Sequence, residues 1–249
     1  MPQKRLIKNP YNNCRAKDPL KCPYHSNYKP LMLGERVYDL FERIDADFPP
    51  KIVKTFSYTE TLDDFHAKYD EFDKKLTSDE RYAFHKYTDE YGSREITYLL
   101  TKPDYDFNMY HKPEVIEQIG LIDVALSKAE LPVAPRSLYR GMDKIPSSWK
   151  NVRKGAVVSF NNFASTSSDP SVGLDFGSDA SPVFFEIITR EGAPIRYNFG
   201  EFEYLLPRDT KYKILAVEEN TKCITNSEYG RTTEKSLNGV TYIKLVAIN

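Results

Sequence analysis

Two glutamates separated by one residue, Glu201 and Glu203, stand directly before the apolar run at residues 204–206. If this segment enters a strand, both side chains project to the same side, because alternate residues of a strand share a face. Two neighbouring carboxylates repel each other, so the pKa of one of them rises unless water screens both. Such a pair supplies an acid or base beside a permanently ionised partner, although a solvated strand face is the commoner explanation of a single Glu-x-Glu.

Two other polar features have residue types that suit chemistry. Ser165, Thr166 and Ser167 place three hydroxyls at the end of an extended segment, where they can hold ribose hydroxyls, an amide or a carboxylate. Arg140 puts a guanidinium in an apolar strand, and Gly141 beside it permits close approach of a ligand to the backbone. Taken singly, each feature has a commoner structural explanation: a loop whose hydroxyls bond the nearby backbone, and an arginine held in a structural ion pair.

In this order, Arg140, Ser165-Thr166-Ser167 and Glu201-x-Glu203 resemble the Arg/Ser/Glu class of mono-ADP-ribosyltransferases. This class includes clostridial actin-modifying toxins and phage-encoded transferases. The resemblance covers residues 137–217, including the aromatic-rich stretch before the glutamates and the segment that follows them. It implies an α+β fold, an ADP-ribosyltransferase-like split β-sandwich with N-terminal helices, with NAD bound in the cleft between the two β layers.

The resemblance also implies a role for each site residue. Glu203 matches the catalytic glutamate, and Ser165 matches the serine that positions it. Arg140 would bind the pyrophosphate of NAD, and Gly141 would offer its backbone to the nicotinamide amide. Three further residues would support or line the NAD pocket, the last by stacking on nicotinamide: Thr166, Ser167 and Phe176.

The chemistry of NAD cleavage agrees with these roles. Nicotinamide leaves as a neutral group, so the reaction needs no leaving-group acid, but negative charge near the ribose stabilises the cation left behind. A guanidinium acceptor is protonated at ordinary pH and attacks only while a base removes a proton. Glu201 would be that base, which indicates that the acceptor is an arginine on a target protein.

Two alternatives stay open at this level. The same fold would act as an NAD glycohydrolase, releasing free ADP-ribose, if water captured the ribosyl cation. The chain would belong to another class altogether if it were a non-catalytic NAD-binding or adaptor module, with residues 1–30 as the adaptor.

The hydrophobic pattern predicts the elements that must position these residues. Residues 57–126 have helical periodicity, with Thr61 capping a first helix and a capping box at Thr77 opening a second. Gly92 is predicted to end the second helix, with residues 93–100 continuing as a further turn. The apolar stripe of a third helix comprises Val115, Ile119, Ile122 and Leu126.

From about residue 136 onward the pattern becomes extended and predicts a mostly antiparallel β part. Helices segregated ahead of strands indicate an α+β fold rather than a Rossmann crevice. The transferase domain is predicted at residues 31–249, after an irregular leader at residues 1–30. The predicted strands lie at residues 137–140, 156–160, 182–189, 204–206, 211–217 and 240–248.

Composition excludes several other classes of protein. The 35 Lys and Arg residues nearly cancel the 36 Asp and Glu residues, so nothing in the net charge of -1 implies nucleic-acid binding. A mean hydropathy of -0.57 and the polar N-terminus indicate neither an integral membrane protein nor a secretory signal. We expect a monomer that acts in the cytoplasm of a host or target cell, delivered by a phage or an injection system.

The cysteines suggest neither a disulfide scaffold nor a standard metal site. Three cysteines are too few to cross-link 249 residues, which fits a reducing compartment. Cys14, Cys22 and His25 supply three possible zinc ligands in the leader, but their spacing is not the usual paired one and no fourth ligand lies nearby. No metal is therefore expected.

Overall fold

The structure is a computed structural model of the chain. It describes residues 52–57, 60–89, 92–102, 112–129, 132, 134–177, 182–195, 201–226 and 234–248. The predicted leader at residues 1–30 lies outside these residues, and so do the zinc candidates Cys14, Cys22 and His25. No helix in the described part of the chain is long and apolar enough to cross a membrane.

The predicted helical part contains helices with the expected caps. They are α1 (Leu62–Asp73), α2 (Ser78–Thr88), α3 (Gly92–Thr101) and α4 (Lys112–Ser127). The Thr61 hydroxyl accepts a hydrogen bond from the Asp64 N–H at the start of α1. Thr77 and Glu80 form the reciprocal capping box of α2, in which each side chain accepts from the other residue's N–H.

The predicted role of Gly92 is wrong. Helix α2 already ends at Thr88, and Gly92 begins α3 instead of ending α2. A Cβ atom at Gly92 would lie 1.8 Å from the Lys86 carbonyl oxygen. The glycine is therefore required because the start of α3 lies directly against the end of α2.

Nine strands are assigned in the described residues. They are β1 (Ile52–Ser57), β2 (Arg136–Met142), β3 (Val157–Ser159), β4 (Ala164–Ser167), β5 (Val183–Thr189), β6 (Ala193–Ile195), β7 (Glu203–Leu206), β8 (Lys211–Asn226) and β9 (Glu234–Ala247). Each of the six predicted segments overlaps one of these strands, whereas β1, β4 and β6 were not predicted. A short helix, α5 (Pro170–Asp175), lies between β4 and β5.

The sheet is mixed and divides into two blocks. Its order is β1-β8-β9-β5-β2-β4-β7-β6, with β3 paired to β8. Among the described strands, β1 with β8 and β5 with β9 are parallel pairs, and the other pairs are antiparallel. Only one register pair, Tyr139 with Ser167, joins β2 to β4. The strands before this junction and the three strands after it form the two β layers expected of the fold.

Alternate residues of β7 show how the layers pack. Tyr204 and Leu206 belong to a core shared with Leu138 and Phe185 of the first block. Leu205, between them in sequence, packs into a second core with helical residues. The helical side chains of this second core include Phe84, Ile96, Val115, Ile119 and Ile122. The β4-β7-β6 block thus lies between the first block and the helices.

A third apolar cluster covers the other face of the first block. Tyr139 and Phe184 stack with ring centroids 5.8 Å apart, and Phe56 of β1 meets both rings edge-on. Leu174 of α5 belongs to the same cluster. Strand β1 and helix α5 are therefore anchored on β2 and β5, next to the junction of the two blocks.

Candidate active site

The structure brings the three predicted motifs together at one cavity of about 390 Å³. The cavity lies at the junction of the two blocks, because β2 supplies Arg140 from one block while β4 and β7 supply the other motifs from the second. All eight predicted site residues line it: Arg140, Gly141, Ser165, Thr166, Ser167, Phe176, Glu201 and Glu203.

Glu203 occupies an enclosed position at the start of β7. Burial, together with the nearby negative charge of Glu201, raises the pKa of its carboxyl to about 7. The hydrogen bond from Ser165 and the charge of Arg140 act in the opposite direction. Glu203 is therefore a carboxyl whose ionisation changes near neutral pH, next to a second carboxylate.

Arg140 is a cation held at the junction of the two blocks. One of its Nη atoms donates to the Ser165 carbonyl, and its guanidinium lies 6.0 Å from the Phe160 ring centre. Burial lowers the pKa of Arg140, but a guanidinium remains protonated at ordinary pH. Its Nε atom is buried with no hydrogen-bond partner among the described residues. This unused donor suits a ligand that brings acceptor oxygens, such as a phosphate.

Thr166 and Ser167 hold the backbone of the glutamate motif. The Thr166 hydroxyl donates to the Tyr204 carbonyl at 2.7 Å, and the Ser167 hydroxyl donates to the Glu201 carbonyl at 2.6 Å. Both hydroxyl hydrogens are thus directed to the main chain. The two bonds tie β4 to the main chain at Glu201 and Tyr204.

The turn at Phe202, rather than the pleat of a strand, brings Glu201 to the cavity. Strand β7 begins only at Glu203, so the expected alternation along a strand does not apply to the pair. Phe202 has φ of 45°, a left-handed conformation that costs a non-glycine residue roughly 1 kcal/mol or more. Its buried ring packs edge-on against Phe65, and its carbonyl accepts from the Ser168 N–H at 3.1 Å. These contacts hold the turn in place.

Gly141 and Phe176 are both placed by helix α5. A Cβ atom at Gly141 would lie 2.2 Å from the Gly173 carbonyl oxygen, so the close approach that requires glycine is that of the chain's own helix. Phe176 caps the C-terminus of α5 and is 61% exposed while lining the cavity. An accessible aromatic side chain in a cavity wall suits stacking against a flat ring.

Tyr87 lines the cavity, although its sequence position indicated only a core residue on the inward face of α2. Its hydroxyl lies 3.4 Å from the Ser165 hydroxyl, and burial raises its pKa to about 12. Its ring meets Phe163 edge-on. Other cavity residues that sequence reasoning missed include Ser93, Thr97, Asp143, Asn162 and Val172.

The described residues contain no group of three or more His, Cys, Asp or Glu side chains placed to hold a metal ion.

The family model for the ADP-ribosyltransferase exoenzyme matches residues 65–247, which include every residue of this cavity discussed above. The chain belongs to this family. No curated protein sequence matches the chain closely enough to count as a relative.

Solved structures of ADP-ribosyltransferases have the same fold. Plx2a, an ADP-ribosyltransferase toxin from Paenibacillus larvae, is 22% identical with a TM-score of 0.51, over 74% of this chain and 92% of Plx2a. Vis, from Vibrio splendidus, is 17% identical with a TM-score of 0.53, over 77% of this chain and 88% of Vis. The enzymatic component C2-I of Clostridium botulinum C2-toxin is 21% identical with a TM-score of 0.52, over 76% of this chain and 48% of C2-I.

Proposed function

We propose that this ADP-ribosyltransferase uses NAD as its donor and transfers ADP-ribose to an arginine side chain of a target protein, with release of nicotinamide. The observation that carries the proposal is the placement of Glu201 and Glu203 in one cavity with Arg140 and Ser165. Two adjacent carboxylates with separate tasks are what an arginine acceptor requires.

The donor half of the cavity has the groups that NAD needs. Arg140 is a cation with an unused buried N–H donor, which fits the pyrophosphate oxygens. Phe176 offers an accessible ring for the nicotinamide to stack on. In NAD, the bond that breaks joins the ribose to a cationic nicotinamide, and the nicotinamide leaves as a neutral molecule.

Glu203 would act at the reacting sugar. In its ionised form it places negative charge beside the positive charge that develops on the ribose, in a site where burial strengthens the interaction. Ser165 directs a hydrogen bond to this carboxylate and so holds it in one orientation.

Glu201 would act on the acceptor. A protonated guanidinium has no free electron pair for attack, so a base must take its proton as the new bond to the sugar forms. Vis has been solved in complex with agmatine, a compound that carries the same guanidinium group as arginine. This agrees with an arginine acceptor on the shared fold.

The matched pair Glu201→Gln and Glu203→Gln tests the proposal. We expect Glu201→Gln to lower transfer to a protein or guanidine acceptor by about 100-fold or more while NAD hydrolysis largely persists. Glu203→Gln should abolish both activities. Glu219→Gln, at an exposed position of β8, is the control and should change neither. Equal loss of transfer and hydrolysis in Glu201→Gln would show that Glu201 is not the acceptor's base.

A labelling experiment with tagged NAD identifies the target protein. Plx2a is described as a toxin and C2-I as the enzymatic component of one, which favours a target in the cytoplasm of another cell. Incubation of the enzyme and tagged NAD with a bacterial and a eukaryotic lysate, followed by mass spectrometry, identifies the labelled protein and residue. Label on a residue other than arginine would contradict the proposed acceptor.

A further inference from the structure

One buried carboxylate outside the cavity contacts both segments that carry the candidate catalytic residues. Glu60 stands directly before Thr61, the N-cap of α1, and is 7% exposed. One of its carboxylate oxygens accepts from the Ser168 hydroxyl at 2.5 Å, and the other accepts from the Tyr204 hydroxyl at 2.8 Å. Ser168 follows the Ser-Thr-Ser motif in sequence, and Tyr204 follows Glu203.

This bridge lies where the strand pairing ends. The register between β4 and β7 runs from Ala164 with Leu206 to Ser167 with Glu203. Beyond that last pair, the Ser168 N–H still donates to the Phe202 carbonyl, but no further ladder pair is formed. The end of a ladder is where two strands separate most easily. Glu203 therefore sits at an end of the β4–β7 pairing, where an added restraint has an effect.

The other contacts of Glu60 make it a fixed anchor. The Lys68 ammonium of α1 donates to Glu60 at 2.5 Å, so the carboxylate is ion-paired as well as hydrogen-bonded. The Arg136 guanidinium lies 3.9 Å from the centre of the Tyr204 ring. Phe65 of α1 packs edge-on against Tyr204. A buried carboxylate with partners at both oxygens keeps a single geometry.

We propose that Glu60 is a positioning residue that sets the distance between Ser165 and Glu203 by tying Ser168 to Tyr204. Glu60 does not line the cavity, so it acts through these two neighbours rather than on the substrate. Its role in turnover rests on the proposed function, whereas its effect on the Ser165–Glu203 pair does not.

The decisive variants are Glu60→Ala and the milder Tyr204→Phe, which removes one bond of the bridge and keeps the ring. The matched control is Glu80→Ala, because Glu80 is also buried and paired with a lysine, Lys128, but lies in the first turn of α2 and does not line the cavity. We expect both bridge variants to lower kcat between about 10- and 100-fold while the KM for NAD stays within about 3-fold. Glu60→Gln, which keeps one acceptor oxygen, should recover part of the loss.

A second readout separates positioning from simple loss of stability. The Ser165 hydrogen bond favours the ionised form of Glu203, against burial and the charge of Glu201, while Arg140 and Tyr87 also face this pair. Removing a bond of the Ser168–Glu60–Tyr204 bridge should therefore raise the pKa of Glu203. The acidic limb of the pH profile of kcat/KM should move to higher pH, and so should the titration of the Glu203 carboxyl followed by carbon-13 NMR. Glu80→Ala should lower thermal stability with no such movement.

The outcomes are distinct. If Glu60→Ala and Tyr204→Phe keep the wild-type kcat and Glu203 titration, or change them no more than Glu80→Ala does, Glu60 is not a positioning residue. If Glu60→Ala does not fold, Tyr204→Phe decides the question alone. If the wild-type enzyme neither hydrolyses NAD nor transfers ADP-ribose, the proposed function fails, and the NMR titration still decides whether Glu60 positions the pair.

Discussion

At the scale of single residues, the proposed chemistry depends on the ionisation of Glu203. Its pKa is raised to about 7, and only the ionised form can stabilise positive charge on the ribose. We expect kcat/KM for NAD to rise with pH through about 7 and then level off, because this parameter reports the free enzyme. Initial rates of nicotinamide release between pH 5 and 9 check this. A pH-independent kcat/KM across that range would rule out Glu203 as the group required in its ionised form.

The companion prediction concerns Glu201. Its negative charge raises the pKa of Glu203, so Glu201→Gln should shift the acidic limb of NAD hydrolysis to lower pH. The same pH series on the variant measures the shift. An unchanged limb would mean that water screens the two carboxylates from each other.

The candidate site was predictable in its residue types and order, but its internal support was not. Arg140, Ser165, Glu201 and Glu203 carry recognisable chemistry, and the structure places all four at one cavity. Glu60 gives no such signal, because the two residues that it bridges, Ser168 and Tyr204, are 108 and 144 residues away in sequence. The left-handed backbone of Phe202 is equally hidden, since phenylalanine rarely adopts it.

At the scale of elements, helix α5 forms a wall of the cavity and depends on two glycines. Gly141→Ala would put a methyl group 2.2 Å from the Gly173 carbonyl, so α5 must move away from β2. We expect a loss of about 1–3 kcal/mol in unfolding free energy and weaker binding of NAD, because Phe176 moves with the helix. Urea denaturation and calorimetric titration with NAD measure the two effects.

Gly120 of α4 provides the matched control for this substitution. A Cβ atom there meets nothing within 4 Å, so Gly120→Ala should raise stability by about 0.5–1 kcal/mol through helix propensity and leave NAD binding unchanged. If Gly141→Ala binds NAD as tightly as Gly120→Ala does, the packing of α5 does not control the cavity.

Elements with strong local signals were predicted, and those defined by distant contacts were missed. Capping residues placed the starts of α1 and α2, and runs rich in Val, Ile and Phe placed most strands. Strand β6 is a three-residue Ala-Pro-Ile segment that owes its assignment to pairing with β7. Strand β1 exists through its parallel pairing with β8, some 170 residues away in sequence, which no local pattern reports.

At the scale of the whole molecule, stability and activity should respond to pH in opposite ways. Folding raises the pKa of Glu203, so its contribution to the free energy of unfolding is largest below about pH 4.5. This contribution, up to roughly 3 kcal/mol, is lost as pH rises through about 7.

Two other buried carboxylates act in the opposite direction. Hydrogen bonds from Lys128 and Thr77 lower the pKa of Glu80. Burial raises the pKa of Glu186, but bonds from Tyr242 and Lys244 outweigh it and lower the value overall. Glu80 and Glu186 stabilise the fold above about pH 4.5 and lose that effect in acid.

We therefore expect Tm to be highest near pH 5 and to fall toward pH 8. Glu203→Gln should unfold at a higher temperature than the wild type at pH 8, with the difference vanishing near pH 4.5. Differential scanning calorimetry of both proteins across this range tests the prediction. A difference in Tm that is the same at both pH values would show that the charge of Glu203 is not its cause.

The turn between the two glutamates has a consequence for how acceptor preference can change. Ser167 and Ser168 donate hydrogen bonds to the main-chain carbonyls of residues 201 and 202. These carbonyls are present whichever side chain the two positions carry. Exchanging the side chain at position 201 therefore leaves both hydrogen bonds intact. If residue 201 selects the acceptor as proposed, a saturation library at that one codon would change which acceptor groups are modified while the surrounding backbone stays the same.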